Sequence, residues 1–326
     1  MNTVLVTGAS GFIGSALCSH LTQSGNQIIG VVRDKKCTGA SIAINDIAEF
    51  GGWREALRGV DVIVHLAGRA HILNDKAVDP IKEFWRINTH ATIRLAEEAA
   101  SARVRRLVFV SSIGVNGNVT YDKPFSADDI PRPHSDYAHS KYEAEIALHD
   151  ISSRTGLEVV IIRPPLVYGP NAPGNFGSLM RWLASGRPLP FGAITMNRRS
   201  FVSLDNLVDL IEVCTNHPSA ADQTFLVSDG EDLSTTDLLC RVSRALGKQP
   251  RLLPVPPTLL RLFANAIGKG DVAHRLLDDL RVDIQHTCST LAWKPPFSVD
   301  ESINKSAHYC PVKGAQRISR SLLGVG

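Results

Sequence analysis

The chain begins with a short apolar run that passes into a turn with three regularly spaced glycines and then into a helical pattern. Residues 4–6 are Val-Leu-Val, and Gly8, Gly11 and Gly14 follow before an amphipathic stretch. After a buried parallel strand, Gly8 permits the tight turn, Gly11 lets a ligand approach the backbone and Gly14 lets the helix pack closely. The free N–H groups in the first turn of that helix then face an anionic group. This order of elements predicts a dinucleotide-binding turn rather than a glycine loop used only for packing.

Length and composition are those of a globular protein with room for more than one folding unit. The chain has 326 residues, of which 44% are hydrophobic, and a formal net charge of +3. That length holds a large α/β domain and a smaller one, and so small a charge does not indicate a nucleic-acid partner. The six cysteines are dispersed and lack histidine partners at ligand spacing, so we expect free thiols and no metal site. Because no signal-like start and no apolar run of bilayer-spanning length occur, we expect a cytoplasmic protein without a membrane span.

Apolar β-rich runs alternate with helical patterns through the first half of the chain. The runs lie at residues 4–6, 28–32, 60–66, 107–111 and 159–163, and the clearest helical face repeats every four residues within 84–102. Continuous apolar strands separated by helices indicate a parallel sheet covered on both faces. The sequence therefore predicts an α/β fold with a doubly wound parallel sheet of the Rossmann type.

Prolines and glycines interrupt regular structure in the second half, while a strand-like run lies at 223–227. We expect a dinucleotide-binding domain at 1–165 with a returning strand near 200–228. A smaller α/β substrate lobe is expected at 166–200 and 229–311, followed by a flexible tail at 312–326. For the apolar segment 257–268, which is too short to span a bilayer, we expect a helix packed in the small lobe, with contact to a membrane or a partner as the alternative.

A tyrosine and a lysine lie four residues apart at Tyr137 and Lys141, which places them on one face of a helix. An apolar strand upstream ends in the hydroxyls of Ser111 and Ser112, at the edge where ligands bind in such sheets. These groups can move a proton during hydride transfer. The tyrosyl hydroxyl exchanges the proton with a carbinol or ketone oxygen, and a serine holds that oxygen. A nearby ammonium and the positive nicotinamide together lower the tyrosine pKa.

Three motifs resemble those of the extended short-chain dehydrogenase/reductase family, and the resemblance covers residues 3–310. They are the glycine turn, the Tyr-Lys pair and segment 112–117, which is similar to the family's S-x-x-V-Y-G with Asn116 in place of the tyrosine. The resemblance implies that Ser112 rather than Ser111 is catalytic. The resulting set of Ser112, Tyr137 and Lys141 also occurs, at a similar spacing, in the family's nucleotide-sugar epimerases.

The same resemblance implies a wider set of cofactor contacts around the glycine turn and along the carboxyl edge of the sheet. Besides Gly8, Gly11 and Gly14, the implied residues are Ser10, Phe12, Ile13, Asp46, Ile47, Leu66, Ala67, Gly68, Asn88, Tyr137, Lys141 and Pro164. Among these, Asp46 and Ile47 match the family's contact to the adenine edge.

The end of the second predicted strand bears on the choice of nicotinamide cofactor. Arg33 and Asp34 follow that strand directly. A carboxylate here accepts hydrogen bonds from the adenosine ribose and favours NAD, whereas a guanidinium pairs with a 2′-phosphate and favours NADP. Because family reductases with the run Val-Arg-Asp use the arginine for the phosphate, we expect NADP(H) and keep NAD(H) as the alternative.

The resemblance further implies a UDP-sugar substrate held by the small lobe. A planar guanidinium fork suits the family's diphosphate clamp, for which two arginines are candidates. The matching residues are Asn175 and Phe176 at the diphosphate, Leu189 and Phe191 at the uracil edge through the Leu189 carbonyl and the Phe191 N–H, and Arg199 and Arg281 as the clamp.

The reaction implied is reduction or epimerisation at a sugar carbon. The family's 4,6-dehydratases carry an acid pair where this chain has Ile113 and Gly114, so dehydration is not expected. Segment 163–168 lacks the asparagine of many epimerases. We therefore expect an NADPH-dependent reductase similar to bacterial O-antigen enzymes that act on UDP-4-keto-6-deoxy-N-acetylhexosamines, with a UDP-sugar 4-epimerase holding NAD tightly as the alternative. A non-catalytic NADP(H) sensor is a third hypothesis, and the family's paired helices imply a homodimer.

Overall fold

The computed structural model describes residues 1–33, 40–70 and 79–309. Asp34, the predicted tail at 312–326 and the side chain of Asn175 lie outside what it describes. The strands are β1 Thr3–Thr7, β2 Gln27–Val32, β3 Ala40–Ala43, β4 Val62–His65, β5 Arg106–Val110, β6 Glu158–Arg163, β7 Leu166–Tyr168, β8 Arg199–Ser203, β9 Thr224–Leu226 and β10 Asp232–Leu233. The α-helices are α1 Phe12–Gln23, α2 Trp53–Ala56, α3 Pro80–Phe84, α4 Ala91–Ser101, α5 Asp136–Thr155, α6 Gly174–Ala184, α7 Leu204–Asn216, α8 Thr235–Ala245, α9 Pro257–Ala266, α10 Gly270–Leu277, α11 Gln285–Leu291 and α12 Val299–His308.

Seven parallel strands form the main sheet in the order β3-β2-β1-β4-β5-β6-β9. Chain order reverses at β1, so β2 and β4 lie on opposite sides of it, and Thr7 at its carboxyl end is level with both Val31 and His65. Such a reversal opens a crevice at the carboxyl edge of the sheet, where ligands bind in folds of this kind. The doubly wound sheet that the sequence predicts is confirmed.

Side chains of the central strands alternate between two apolar layers. On β5, Val108 and Val110 pack with α1 and α7 on one face, whereas Leu107 and Phe109 pack with α4 and α5 on the other. All four are buried, which explains why the strand reads as a continuous apolar run rather than an alternating one.

Two elements of the main domain differ from the sequence prediction. The predicted helix at 84–102 consists of a π-helical turn at Trp85–His90 followed by α4, and α3 precedes it. Asn88 lies inside that turn and is completely buried, and π-turns of this kind commonly occur at functional sites. Strand β3 was not predicted, because it lies at the edge of the sheet and none of its residues is fully buried.

A smaller sheet, in the order β10-β8-β7, lies beside a separate apolar cluster built with α6, α8 and α12. A buried polar group ties it to the main domain. The Asp229 carboxylate accepts hydrogen bonds from the Tyr168 hydroxyl at 2.7 Å, the Ser203 amide at 2.8 Å and the Asn206 side chain at 2.7 Å. Three donors compensate the burial of this charge, although burial still raises the pKa of Asp229 above its ordinary value.

The helix expected in the apolar segment 257–268 is present as α9. None of its residues is fully buried, so it is not enclosed in an apolar core. Within residues 1–33, 40–70 and 79–309, no helix combines the length and the apolar character needed to cross a bilayer.

Replacing the buried carboxylate in Asp229→Ala removes the acceptor of three donors at once. Because each buried donor left unpaired costs about 1–3 kcal/mol, we expect the free energy of unfolding to fall by at least about 2 kcal/mol. Asp128→Ala, at an exposed carboxylate, is the control and should change it by less than about 0.5 kcal/mol. Urea unfolding followed by circular dichroism measures both, and equal stability of the two variants would contradict the structural role of Asp229.

Candidate active site

The predicted catalytic residues and the glycine turn line one cavity of about 320 Å³ at the carboxyl edge of the main sheet. Its walls come from the β1–α1 turn, the loop after β4, the end of β5, the face of α5 and the segment after β6. Of the predicted residues, those that line it are Gly8, Gly11, Phe12, Ile13, Gly14, Leu66, Gly68, Ser112, Tyr137, Lys141 and Pro164.

The glycine turn is as tight as its spacing implies. Gly8 has a φ of +69°, and a Cβ at this residue would lie 2.9 Å from the Ala67 amide nitrogen. A Cβ at Gly14 would lie 2.2 Å from the Gly8 carbonyl oxygen, so α1 can approach β1 only without a side chain there. The N-terminus of α1 has no side-chain cap at Gly11, which leaves backbone N–H groups available to an anion.

A neutral histidine behind the turn holds the loop after β4. His65 is completely buried, its Nδ1 lies 2.7 Å from the Thr7 hydroxyl, and its Nε2 lies 2.9 Å from the Thr92 hydroxyl. Because Thr92 donates to the Asn88 carbonyl, it accepts from Nε2–H, and Nδ1 accepts from Thr7. Burial lowers the pKa of His65 to about 3, so the ring stays uncharged. The Thr7 oxygen also accepts the Leu66 and Ala67 amides, which fixes this wall of the cavity.

Helix α5 presents Tyr137 and Lys141 on one face, toward the end of β5. Ser135 caps the helix by accepting from the Ala138 amide. Lys141 is 4% exposed, donates to the Val110 carbonyl at 3.1 Å and lies 4.5 Å from the centre of the Phe109 ring. Tyr137 is half-buried and its hydroxyl hydrogen-bonds with Ser112, so the structure brings all three predicted catalytic side chains together.

Burial shifts the pKa values in this set. Burial raises the pKa of Tyr137 to about 12, and a hydrogen bond with Ser112 acts against that shift. The lowering of the Tyr137 pKa by Lys141 together with a bound nicotinamide stays a prediction. Burial lowers the pKa of Lys141 to about 8, and the nearby Glu145 carboxylate acts against that shift. Lys141 thus has a pKa close to neutrality, where its charge responds to its surroundings.

A buried ion pair connects α5 to the catalytic loop, the segment 112–117 that begins at Ser112. Arg163, at the end of β6, donates to Glu145 Oε1 at 3.0 Å and Oε2 at 2.5 Å, and both side chains are almost fully buried. The remaining arm of the guanidinium donates to Asn116 Oδ1 at 3.0 Å, and Asn116 donates to the Ser126 carbonyl at 2.9 Å. Asn116 therefore anchors the segment that begins at Ser112. The sequence analysis assigned Glu145 no role, although its position four residues after Lys141 was an available signal.

Asn88 contacts protein groups rather than the cavity. Its amide donates to the Arg69 carbonyl and the Ser140 hydroxyl, each at 3.0 Å, and its oxygen accepts the Arg69 amide at 2.7 Å. It therefore joins the loop after β4 to α5. The implied contact of Asn88 with a cofactor stays a prediction.

The other implied cofactor residues are not in the lining of this cavity. Ser10 and Arg33 are exposed. Asp46 forms an ion pair with Arg86 at 2.7 Å, and Ile47 is buried in the apolar layer that includes α4 and α5. Ala67, which lies beside Gly8, completes this set.

Three of the implied substrate residues belong to the packing of the small lobe. Phe176 is 5% exposed, with its ring 5.3 Å from that of Tyr168. Leu189 is buried, and its carbonyl accepts the Leu253 amide at 2.8 Å, which leaves its second lone pair for the expected contact to a uracil edge. Phe191 packs against the same cluster.

Arg199 and Arg281 lie close together, because Arg199 pairs with Leu280 in an isolated bridge. Arg199 donates to the Asp278 carbonyl at 2.8 Å, and burial lowers its pKa to about 10. Arg281 donates to the Tyr121 carbonyl. Both contacts border a second cavity of about 600 Å³, whose lining includes Tyr121 and Asp278. The arginines are thus next to the second cavity rather than the first.

Ser111 is a lining residue that the sequence analysis set aside in favour of Ser112. Its hydroxyl oxygen is buried in the wall of the first cavity and has no partner among the described residues. A buried hydroxyl without a protein partner is a candidate contact for a ligand. This group, the uncapped N-terminus of α1 and the space that glycines leave beside Ala67 and Lys141 fit a nicotinamide dinucleotide.

The sheet order and this crevice define a Rossmann-type α/β protein with a Ser-Tyr-Lys set at the switch point of the sheet. The model of the NAD dependent epimerase/dehydratase family matches residues 4–228. The chain belongs to that family.

Similar proteins extend over almost the whole chain. The chain is 43% identical to a UDP-glucose 4-epimerase of Vibrio cholerae over 309 residues, which is 94% of each protein. It is 29% identical to a UDP-glucose 4-epimerase of Mycolicibacterium smegmatis, covering 94% of this chain and 97% of that one. The solved structure of MoeE5 in complex with UDP-glucose and NAD aligns with a TM-score of 0.76 at 26% identity, over 94% of this chain and 98% of MoeE5.

The substitution Gly14→Ala tests whether the glycine turn binds the dinucleotide. In Gly14→Ala the methyl group would overlap the Gly8 carbonyl, so α1 must move away from β1. A displacement that costs about 1.4 kcal/mol lowers affinity tenfold, and we expect NAD binding measured by calorimetry to weaken at least that much. Gly51→Ala, where a Cβ meets no atom within 4 Å, is the control. Unchanged affinity in Gly14→Ala would contradict the assignment.

Proposed function

We propose that the protein is a UDP-hexose 4-epimerase that works with NAD held in the first cavity. The observation that carries the proposal is the convergence of Ser112, Tyr137 and Lys141 on the cavity that the glycine turn lines. The similarity to two UDP-glucose 4-epimerases, one at 43% identity, favours this reaction over the reductase that the sequence alone favours. An epimerase reaction needs no acid pair for dehydration, which agrees with Ile113 and Gly114 at that place in the sequence.

The side chains divide the proton chemistry among them. A bound nicotinamide would accept and return the hydride at the sugar C4. Tyr137 takes the proton of the C4 hydroxyl and later returns it, as a general base and then a general acid. Ser112 holds the same oxygen by hydrogen bonding, and the Lys141 ammonium favours the deprotonated form of Tyr137 once a ligand encloses the site. A 4-epimerase inverts the carbon because the ketone is reduced again from its other face.

The cofactor is proposed to be NAD rather than NADP. The NADP expectation depended on Arg33, which is exposed at the end of β2, and it has no support from the similar proteins. MoeE5, which shares 26% identity with this chain, was solved with NAD. An enzyme that oxidises and then reduces the same carbon consumes no net cofactor, which suits a dinucleotide that stays bound.

The small lobe, together with Arg199 and Arg281, is proposed to bind the nucleotide-sugar substrate. We propose that these arginines hold the diphosphate from the side of the second cavity, and that the elements around β7, β8 and β10 form the substrate lobe. UDP-glucose is the first compound to test, because two similar proteins carry it in their names. The homodimer and the O-antigen role stay predictions.

The reaction itself separates the epimerase from the reductase. Incubation with UDP-glucose and no added NADPH should form UDP-galactose, detected by chromatography, with no net change in nicotinamide absorbance. Stoichiometric oxidation of NADPH by a UDP-4-keto sugar, without epimer interconversion, would replace the proposal by the reductase.

Tyr137→Phe removes only the hydroxyl that exchanges the proton. We expect turnover of UDP-glucose to fall by at least about 10²-fold, the lower range for a general acid or base, while NAD binding is kept. Ser112→Ala should lower turnover less. Tyr142→Phe, on the same helix, is the control and should keep its rate. A near wild-type rate in Tyr137→Phe would exclude it as the proton-transfer group.

A further inference from the structure

The hairpin of α9 and α10, residues 257–277, has its apolar face directed to solvent. Four large side chains of α9 and its C-terminal end repeat at spacings of three, one and four residues, which forms one stripe along a helix. They are Leu259, Leu262, Phe263 and Ile267, with 55%, 68%, 66% and 50% of their surface exposed. In a helix that packs on its own protein, a stripe of this kind faces the core. Here it faces outward.

The opposite face of α9 is the side that contacts protein. Leu260, Arg261 and Ala264 are half-buried, and Arg261 forms an ion pair with Asp278. Val272 of α10 and Leu253 before the hairpin are also about half exposed, so the apolar surface extends beyond α9. An exposed contiguous apolar surface of this kind marks an interaction site.

Charge around the hairpin identifies the kind of surface that it fits. Residues 251–269, which contain the stripe, include three basic residues and no acidic one, whereas the whole chain has a net charge of +3. This one segment thus carries as much positive charge as the net charge of the whole chain. Arg251 and Lys269, which precede and follow the stripe in the sequence, are both exposed.

We propose that the hairpin docks on an anionic lipid bilayer, with the stripe in the acyl boundary and the basic residues at the headgroups. An apolar stripe flanked by lysine and arginine is the pattern of a helix that lies in the membrane interface. A symmetric contact with a second copy would bring two basic segments together, which their charge opposes. Arg261 and His274 also line the second cavity, so docking would bring the substrate side of the protein close to the lipid surface.

Vesicle flotation of the full-length protein tests this docking. We expect binding to vesicles of phosphatidylglycerol mixed with phosphatidylcholine, and little binding to phosphatidylcholine alone. Leu262→Gln combined with Phe263→Gln should weaken binding at least about tenfold, because each loses the burial of a large apolar side chain. Arg251→Gln combined with Lys269→Gln should weaken it by about fivefold per charge, in a salt-dependent manner.

The matched control is Ile130→Gln combined with Tyr309→Gln, two exposed apolar residues outside the hairpin, which should float as the wild type does. Circular dichroism and NAD affinity show that each variant is folded, independently of the proposed epimerase activity. No flotation of the wild type, or equal flotation of the Leu262→Gln/Phe263→Gln variant, overturns the proposal. Light scattering without lipid gives a further test. A lower mass for the Leu262→Gln/Phe263→Gln variant than for the wild type also overturns the proposal, because the stripe would then be the interface with a second copy of the chain.

Discussion

The buried pair of Arg163 and Glu145 is the interaction on which the active site depends. Burial of two charges is costly unless hydrogen bonds compensate it, and here each guanidinium nitrogen and both carboxylate oxygens have a partner. Two arms of the guanidinium bind the carboxylate, and the third binds Asn116. Removal of one partner from such a pair typically costs about 3–5 kcal/mol, because the other charge stays buried and unpaired. A single planar group thereby fixes β6, α5 and the catalytic loop relative to one another.

The chemistry follows from that geometry. Glu145 is one helical turn beyond Lys141, so the carboxylate that accepts from Arg163 also acts on the lysine pKa. Asn116 holds the segment that begins at Ser112, the residue that contacts the Tyr137 hydroxyl. On the other side, the neutral His65 and its threonine partners shape the glycine turn. The first cavity thus has two walls, each held by buried polar groups that are satisfied within the protein.

The sequence predicts those parts of the molecule in which local chemistry dictates structure. The continuous apolar strands indicate the doubly wound sheet, and Gly8 and Gly14 stand where a Cβ would clash. The four-residue spacing of Tyr137 and Lys141 likewise predicts their shared helix face.

Features that depend on distant contacts could not be predicted in this way. The Asn88 side chain, in the π-turn, donates to Arg69 and Ser140, which are remote in sequence. The Leu189 carbonyl accepts the amide of Leu253 from another segment, and α9 exposes its apolar stripe to solvent although an amphipathic pattern predicts burial. A pattern of apolar residues shows that a face will be covered, but it does not identify what covers it.

The pH dependence of turnover in Glu145→Gln tests the central role of the ion pair. Glutamine can still accept from Arg163, but it no longer opposes the lowering of the Lys141 pKa, so that pKa should fall below about 8. The alkaline limb of kcat, where Lys141 loses its proton, should then move to lower pH. Glu158→Gln is the matched control, because Glu158 also pairs with a buried arginine, Arg106, but lies at the far end of β6. An alkaline limb that moves in Glu145→Gln and stays in Glu158→Gln is the predicted result, whereas a wild-type profile in Glu145→Gln would contradict the account.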